Sequence, residues 1–370
     1  MSGPLTSLIV SRIRDRGPLT VAEYMELALY HPEHGYYSGA AQRSGRAGDY
    51  FTSVDVGPLF GELIAAQLDE MWQVLRAHGA GAFDLVEAAA GNGRLARDVL
   101  DAAARYHPDF YANLRLTLVE RSPAAREAQR AALGPHLDRL VATRDDLPAA
   151  IEGVIYANEL LDALPVHVVT MTAEGVREIV VAERDGVLVE AQAAVSDPEI
   201  VAHLPPIDPG ARIEIGLAAA AWVRNAAASL RRGFLLLFDY GHERDEAHSR
   251  THPDGTLVAY RAHVAEPRGW LTAPGDADLT AHVDLTAVRR AAEAGGLRQL
   301  ALVDQTYFLL SLGLADRLPT GDDRDAIRQR LAARTLVMPG GLGSTMKAMV
   351  FAKGIGAPSL RGIASGRLTS

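Results

Sequence analysis

Carboxylates recur in this chain at the ends of short apolar runs. Glu87 ends the run at 83–86, Glu120 follows LRLTLV at 114–119, and Asp145 and Asp146 follow a weaker run at 137–142. Asn158 and Glu159 follow GVIYA at 153–157, and Asp239 follows GFLLLF at 233–238. Runs of this length and composition are predicted strands. Parallel strands share one edge at their carboxyl ends, and open α/β sheets bind ligands there. Between Glu87 and Leu95 the chain passes through Gly91 and Gly93 into a helical pattern. Glycine lets backbone approach a bulky ligand, and the following helix N-terminus presents N–H groups and partial positive charge. A nucleotide-sized ligand is therefore expected. GNGRLA fits the loose dinucleotide pattern G-x-G-x-x-A. Glu87, four residues ahead of Gly91, is instead the arrangement of S-adenosylmethionine (SAM) enzymes, where such an acid stabilises the cationic methionine portion. Glu120 would accept from both ribose hydroxyls, and Asp146 lies at the end of the next strand. These acids with the glycine turn favour SAM, with NAD kept as the alternative.

The elements that must position these residues can be read in chain order. Thr20 and Glu23 form a capping box for a helix at 21–30. A glycine- and aromatic-rich stretch follows, ending in GDYFTS, where Thr52 and Ser53 offer hydroxyls in material suited to a ligand lid. Apolar residues at steps of three and four predict a helix at 56–75. Two strand–helix units in series, the second helix capped by Ser122 before Pro123, imply a parallel sheet with right-handed crossovers. Alternation at 166–189 predicts an antiparallel insertion with turns near Gly175 and Gly186. A helix is expected at 214–230, a long ordered loop or lid at 242–278, and a helix beginning in DLTAHVD and running from 278 to about 294. Strands at 297–303 and 346–351 would close the sheet as an antiparallel pair. The predicted organisation is a helical and lid segment at 1–80, a ligand-binding domain at 81–353 with insertions near 166–212 and 242–278, and a flexible tail at 354–370.

Composition narrows the class. At 370 residues and 48% hydrophobic content, one large or two modest globular domains are expected. A net charge of −9 argues against nucleic acid as partner. Absence of cysteine excludes disulfides, thiolate catalysis and sulfur-ligated zinc, and the sequence singles out no metal ligand set. No apolar stretch reaches the roughly 18 residues of a membrane helix, and the start lacks a signal-peptide core. Arg12, Arg14 and Arg16 hint at a transit segment, but folded pattern is expected immediately after them. The chain is read as bacterial and cytoplasmic, its scarcity of lysine, confined to Lys347 and Lys353, reflecting a GC-rich genome.

The segments GPLTVAEYMELALYHPEHGYY, GDYFTSVDVGPLFGELIA, LVERSPAAREAQ, ANELLDALPV, DYG, GTLVAYRAH and DLTAHVDL, in that order, resemble the MidA-like family of SAM-dependent methyltransferases. The resemblance spans roughly residues 17–353. It implies an α/β, class I methyltransferase (Rossmann-like) fold, with a mostly parallel sheet, helices on both faces, an N-terminal helical lobe and an inserted β-rich lobe. It further implies S-adenosyl-L-methionine as cofactor and methyl transfer to a protein arginine, as in the family's mitochondrial member that assists respiratory complex I assembly. A respiratory-type complex subunit is thus an implied partner. On this reading Glu159, then Asp162 and Asp239, are candidates to hold the guanidinium and receive its proton, while Asn158 touches the cofactor or shapes the turn. Asp162 has a second reading as a helix N-cap. His282 and Asp284 could line the substrate pocket or cap a helix, capping being favoured for Asp284, and His167 reads as a packed core histidine. One departure matters: where the family has E-L/I-G-P/S-G-x-G, this chain has Glu87-Ala88-Ala89-Ala90-Gly91-Asn92-Gly93, with Ala89 at the first glycine. If that position needs positive φ, the change costs about 1 kcal/mol. A small-molecule O- or N-methyltransferase and a SAM-binding assembly factor without turnover remain alternatives.

Overall fold

The computed structural model describes residues 3–38, 52–244, 252–267, 269–338 and 342–364. Its chain folds as two compact units, each built from separated segments: residues 1–51, 161–223 and 241–291 in one, and 52–160, 224–240 and 292–370 in the other.

The second unit is organised on seven strands, numbered along the chain: β1 (Phe83–Ala88), β2 (Leu114–Val119), β3 (Leu140–Arg144), β4 (Ile151–Asn158), β5 (Leu230–His242), β6 (Arg298–Asp304) and β7 (Met346–Lys353). Their order across the sheet is β6-β7-β5-β4-β1-β2-β3. Every pairing from β5 to β3 is parallel, whereas β7 is antiparallel to both β5 and β6. Residues 234–238 and 348–352 are buried at every position, because helices cover both faces of a parallel sheet and leave no wet side. The helices Pro58–Ala77 and Arg94–Tyr106 turn Phe60, Leu63, Ile64, Leu68, Ala96, Val99 and Leu100 into this core. The antiparallel closure predicted for the last strands is present. The helix at 305–311 follows β6 directly, and Phe308 reaches the Phe238 ring at 5.2 Å. Residues 354–364 correct the expected tail: Ile355, Leu360 and Ile363 are core residues, and Gly362 N–H donates to Gln67 Oε1 at 3.0 Å. Apolar side chains every few residues held this segment down where composition suggested a flexible end.

The first unit is β-rich. Strands His167–Thr172, Gly175–Arg184 and Val187–Ala193 form the predicted antiparallel meander, extended by Arg212–Ile215 on one side and Leu19–Thr20 on the other. The capping box is present as predicted, with Glu23 N–H donating to Thr20 Oγ1 at 3.1 Å and Thr20 N–H to Glu23 Oε2 at 2.9 Å. Several expectations change. Folded structure begins before residue 17, since Pro4–Arg16 is a helix burying Leu5, Ile9 and Ile13, while Arg14 and Arg16 are exposed. Glu214 lies in a strand, and the helix starts at Leu217. Within 252–280 the chain forms a three-stranded antiparallel sheet, Val258–Arg261, Val264–Glu266 and Asp278–Thr280, and not a plain loop. Residues 278–284 are extended, with the helix beginning at Leu285. Aromatic anchors tie these pieces together: Tyr24 Oη donates to the Trp270 carbonyl at 2.7 Å and Tyr37 Oη to Asp278 Oδ1 at 2.8 Å. No helix among the described residues is long and apolar enough to cross a membrane.

Candidate active site

At the carboxyl end of β1 the side chain of Glu87 is buried, 3% exposed, and accepts from Tyr156 Oη at 2.7 Å. Burial pushes its carboxyl up to about 8, the hydrogen bonds from Tyr156 and the Ala96 N–H opposing the shift and the charges of Asp98 and Glu120 adding to it. Burial and the neighbouring carboxylate likewise raise Tyr156, which therefore keeps its proton and donates. The chain then turns through three left-handed residues, Ala89 at φ 53°, Gly91 at 50° and Gly93 at 83°. Ala89 thus sits at the position where positive φ was the condition for strain. Gly93 caps the helix Arg94–Tyr106 without a side-chain partner, which leaves first-turn N–H groups without an intrahelical acceptor.

Glu120, at the end of β2, braces this turn. Its Oε2 accepts from Gly91 N–H at 2.9 Å and its Oε1 from Ser122 N–H at 2.8 Å. Each carboxylate oxygen has two lone pairs, so capacity for hydroxyl donors remains. Gln129 Nε2 donates to the Gly91 carbonyl at 2.9 Å from the helix that Ser122 caps. Thr52 and Ser53 are present but committed. Thr52 donates through N–H and Oγ1 to Asp55, both at 2.9 Å, and buried Ser53 donates to Gln305 Oε1 at 3.0 Å. Asp55 Oδ1 in turn accepts from Arg94 Nη2 at 2.5 Å, at the start of the glycine-turn helix. Sequence reading missed Asp55 and Arg94, although T-x-x-D at 52–55 is a capping-box pattern. It missed Tyr156 because a tyrosine inside a buried strand carries no local signature. The remaining residues of GDYFTS, 48–51, lie outside the described residues. The Asp146 side chain is 71% exposed and is held by Arg144, whose carbonyl accepts from Glu120 N–H at 2.8 Å.

The end of β4 carries the second constellation. Glu159 also adopts φ 53°, rare for a side-chain-bearing residue. Its N–H donates to the Phe238 carbonyl at 2.8 Å, fixing the turn to β5. Asn158 Nδ2 donates to Glu159 Oε1 at 2.9 Å, while Asn158 Oδ1 is buried with no hydrogen-bond partner. Asp239 is 1% exposed and spends one oxygen on Leu160 N–H at 3.1 Å and the other on Tyr240 N–H at 2.9 Å. It straps the β4 exit to β5, which is a positioning task.

Asp162 belongs to the other unit. It lies in a turn at 161–164 with no helix after it, which removes the N-cap reading, and its carbonyl accepts from Ala281 N–H at 3.0 Å. Asp284 caps its helix as expected, accepting from Ala287 N–H at 2.9 Å, and its other oxygen takes Arg244 at 3.0 and 3.1 Å. His167 is largely buried and paired with buried Glu178 at 2.7 Å. His282 sits beside His242 and His252, and burial, then the two neighbouring rings, lower it to about 4.

The residues at the β1 and β2 ends fit a SAM-type ligand on their own chemistry: a desolvated acid for a cation, an acid with spare lone pairs for hydroxyls, a left-handed glycine turn, and an orphaned amide oxygen at the end of the adjoining strand. A family model described as "Putative S-adenosyl-L-methionine-dependent methyltransferase" matches residues 63–303. The chain is 30% identical to the mitochondrial protein arginine methyltransferase NDUFAF7 of Bos taurus, over 89% of this chain and 78% of that one. It is also 30% identical to the Drosophila melanogaster homologue, over 95% and 86%. A crystal structure from Burkholderia thailandensis bound to S-adenosyl-homocysteine superposes with TM-score 0.89 at 31% identity, covering 100% of this chain and 98% of that one.

Proposed function

The chain belongs to this family of S-adenosyl-L-methionine-dependent methyltransferases, and from that premise we propose that it methylates an arginine of a protein, a respiratory-type complex subunit, in the bacterial cytoplasm. The relatives named as protein arginine methyltransferases support the acceptor class. The observation that carries the reading is Glu159, a carboxylate held at φ 53° at the end of a central strand beside the unpartnered Asn158 Oδ1. Strained backbone of this kind persists where a side chain must be aimed.

Bound cofactor supplies an activated methyl group. Glu87 would meet the positive charge of its methionine portion, and the Glu120 carboxylate would take the ribose hydroxyls. The turn at 91–93 brings backbone close, and Asn158 Oδ1 accepts a donor from cofactor or substrate. A guanidinium is a poor nucleophile because its lone pairs are delocalised and its pKa exceeds about 12. Glu159 would hold it in a charge-assisted hydrogen bond and accept its proton as the N–CH3 bond forms and the S–CH3 bond breaks, S-adenosyl-homocysteine being the leaving group. Alignment of this kind can contribute about 7–11 kcal/mol to a displacement. Asp239 keeps Glu159 in place by fixing the Leu160 N–H.

Purified chain incubated with methyl-labelled cofactor and extract of cells lacking the gene tests the reading. Label recovered as methylarginine after protein hydrolysis is expected. Label confined to small molecules would overturn the protein acceptor, and cofactor binding without any label would replace the enzyme with a non-catalytic assembly factor.

A further inference from the structure

Three imidazoles meet in the β-rich unit, and none of them has a role in the methyl transfer proposed above. His242 ends β5, His252 precedes the strand Val258–Arg261, and His282 lies between the short strands Asp278–Thr280 and Val283–Asp284. Their ring centroids are 4.8 Å apart for His242 and His282, 5.5 Å for His242 and His252, and 5.8 Å for His252 and His282. One ring nitrogen from each lies within 4.8 Å of the others. We propose that His242, His252 and His282 form a three-histidine site for a divalent transition-metal ion, zinc being the best match.

The donor set is the first argument. Neutral imidazole is a good ligand for zinc, copper, nickel and iron, and three histidines with one open position make a recurring zinc arrangement. Tetrahedral zinc at about 2.0–2.1 Å from each nitrogen would place the nitrogens roughly 3.4 Å apart, so modest ring rotations close the site. The second argument is an unsatisfied atom: His282 Nδ1 is buried with no hydrogen-bond partner, a loss that a metal bond would make good. The third is that surrounding groups fix the backbone of two ligands. His282 N–H donates to Thr256 Oγ1 at 3.0 Å, and Thr256 Oγ1 donates to Glu214 Oε2 at 3.1 Å. Glu214 Oε1 also takes Thr256 and Leu257 N–H at 2.9 and 3.1 Å, locking the segment that follows His252. Gly241 and His242 pair in parallel with Val283 and Asp284, and the Arg244–Asp284 fork closes the same corner. Three chain segments distant in sequence are thereby held with their imidazoles together, the condition for a preorganised site.

The test uses the full chain freed of metal by chelator and dialysis. Zinc titrated against a chromophoric competitor should bind at one equivalent with micromolar or tighter affinity, and cobalt(II) should give the intense visible bands of a tetrahedral nitrogen site. His252→Ala and His242→Ala should each lower zinc affinity about 100-fold and abolish the cobalt bands, with circular dichroism unchanged. Because His282 Nδ1 is buried and its N–H is tied to Thr256, His282→Ala is not used; the His242 and His252 variants and the wild-type cobalt spectrum carry the decision. The stacked surface pair His31 and His34, with centroids 5.3 Å apart, is the control. Zinc binding that survives His242→Ala with His252→Ala, or that is lost on His31→Ala with His34→Ala, would overturn the proposal, as would an affinity weaker than about 100 μM.

Discussion

Two turns leave adjacent strands of the central sheet with the same backbone twist and opposite uses for it. After β1, Ala89 adopts φ 53°, and after β4, Glu159 adopts φ 53°. At Ala89 the side chain is a methyl group, so the left-handed conformation serves the path of the chain into the glycine turn. At Glu159 the same conformation aims a carboxylate, tied by Asn158 and by the Phe238 carbonyl. Left-handed backbone costs a non-glycine residue about 1–2 kcal/mol. On the proposed function, the same strain would be expendable in one turn and put to use in the other.

Substitution should separate the two. The largest effect is expected at Glu159→Gln, which keeps size and hydrogen bonding but removes the proton acceptor: the rate of methyl transfer should fall about 10²–10⁴-fold, with cofactor affinity by calorimetry within a fewfold of wild type. Equal loss of affinity and rate would place Glu159 in cofactor binding instead. Next is Glu120→Ala, which removes the brace of Gly91 and Ser122 together with the hydroxyl acceptor. Hydrogen bonds to charged groups contribute about 1.5–3 kcal/mol each, so calorimetry should register a weakening of cofactor binding on the order of 100-fold. Unchanged affinity would remove Glu120 from the site.

Glu87 adds a pH dependence to the β1 turn. With its carboxyl raised to about 8 by burial, the free chain holds a proton there at neutral pH. A cationic ligand favours the carboxylate, so affinity should rise up to about tenfold per pH unit between roughly 6 and 7.5. Glu87→Gln should flatten that slope, and a slope that persists would assign it to another group. The same proton makes the folded chain bind more protons than the unfolded chain above the ordinary value of 4.5, so denaturant stability should decline as pH rises from 4.5 toward 8.

The smallest effect is expected at Ala89→Gly. Relief of left-handed strain is partly offset by glycine's extra unfolded-state freedom, leaving a gain of about 0.5–1 kcal/mol in chemical denaturation. Cofactor affinity should change no more than about threefold, since the turn keeps its path. A large gain in affinity would mean that the alanine costs the chain function as well as stability.

Much of the cofactor end was legible because its signals are local. Glu87 with Gly91 and Gly93, Ser122 before its helix, and the capping box of Thr20 and Glu23 all act within a few residues, where propensity and hydrogen-bonding geometry decide the outcome. The partners of Thr52 and Ser53 were not legible, because their hydroxyls donate to Asp55 and to Gln305, the latter 252 residues away. Asp239 was placed at the end of its strand, and what the sequence did not give is that its two oxygens accept from the Leu160 and Tyr240 N–H groups, a link that the β4–β5 pairing sets. Glu214 and residues 278–284 were read as helical from alanine-rich neighbours. Ladder pairing overrode that local preference, His167–Ile215 and Val258–Thr280 being partners far apart in the chain.

The sequence alone determined a parallel α/β sheet with an acid-lined carboxyl edge, a left-handed glycine turn and SAM as the favoured ligand, since strand runs, caps and turn residues encode those over short distances. The tertiary structure alone decided that residues 4–30 join the 167–215 meander in one unit, that residues 354–364 are core, and that His242, His252 and His282 converge. Those outcomes depend on which faces and edges meet after the chain has crossed between units, and no local period of the sequence records that.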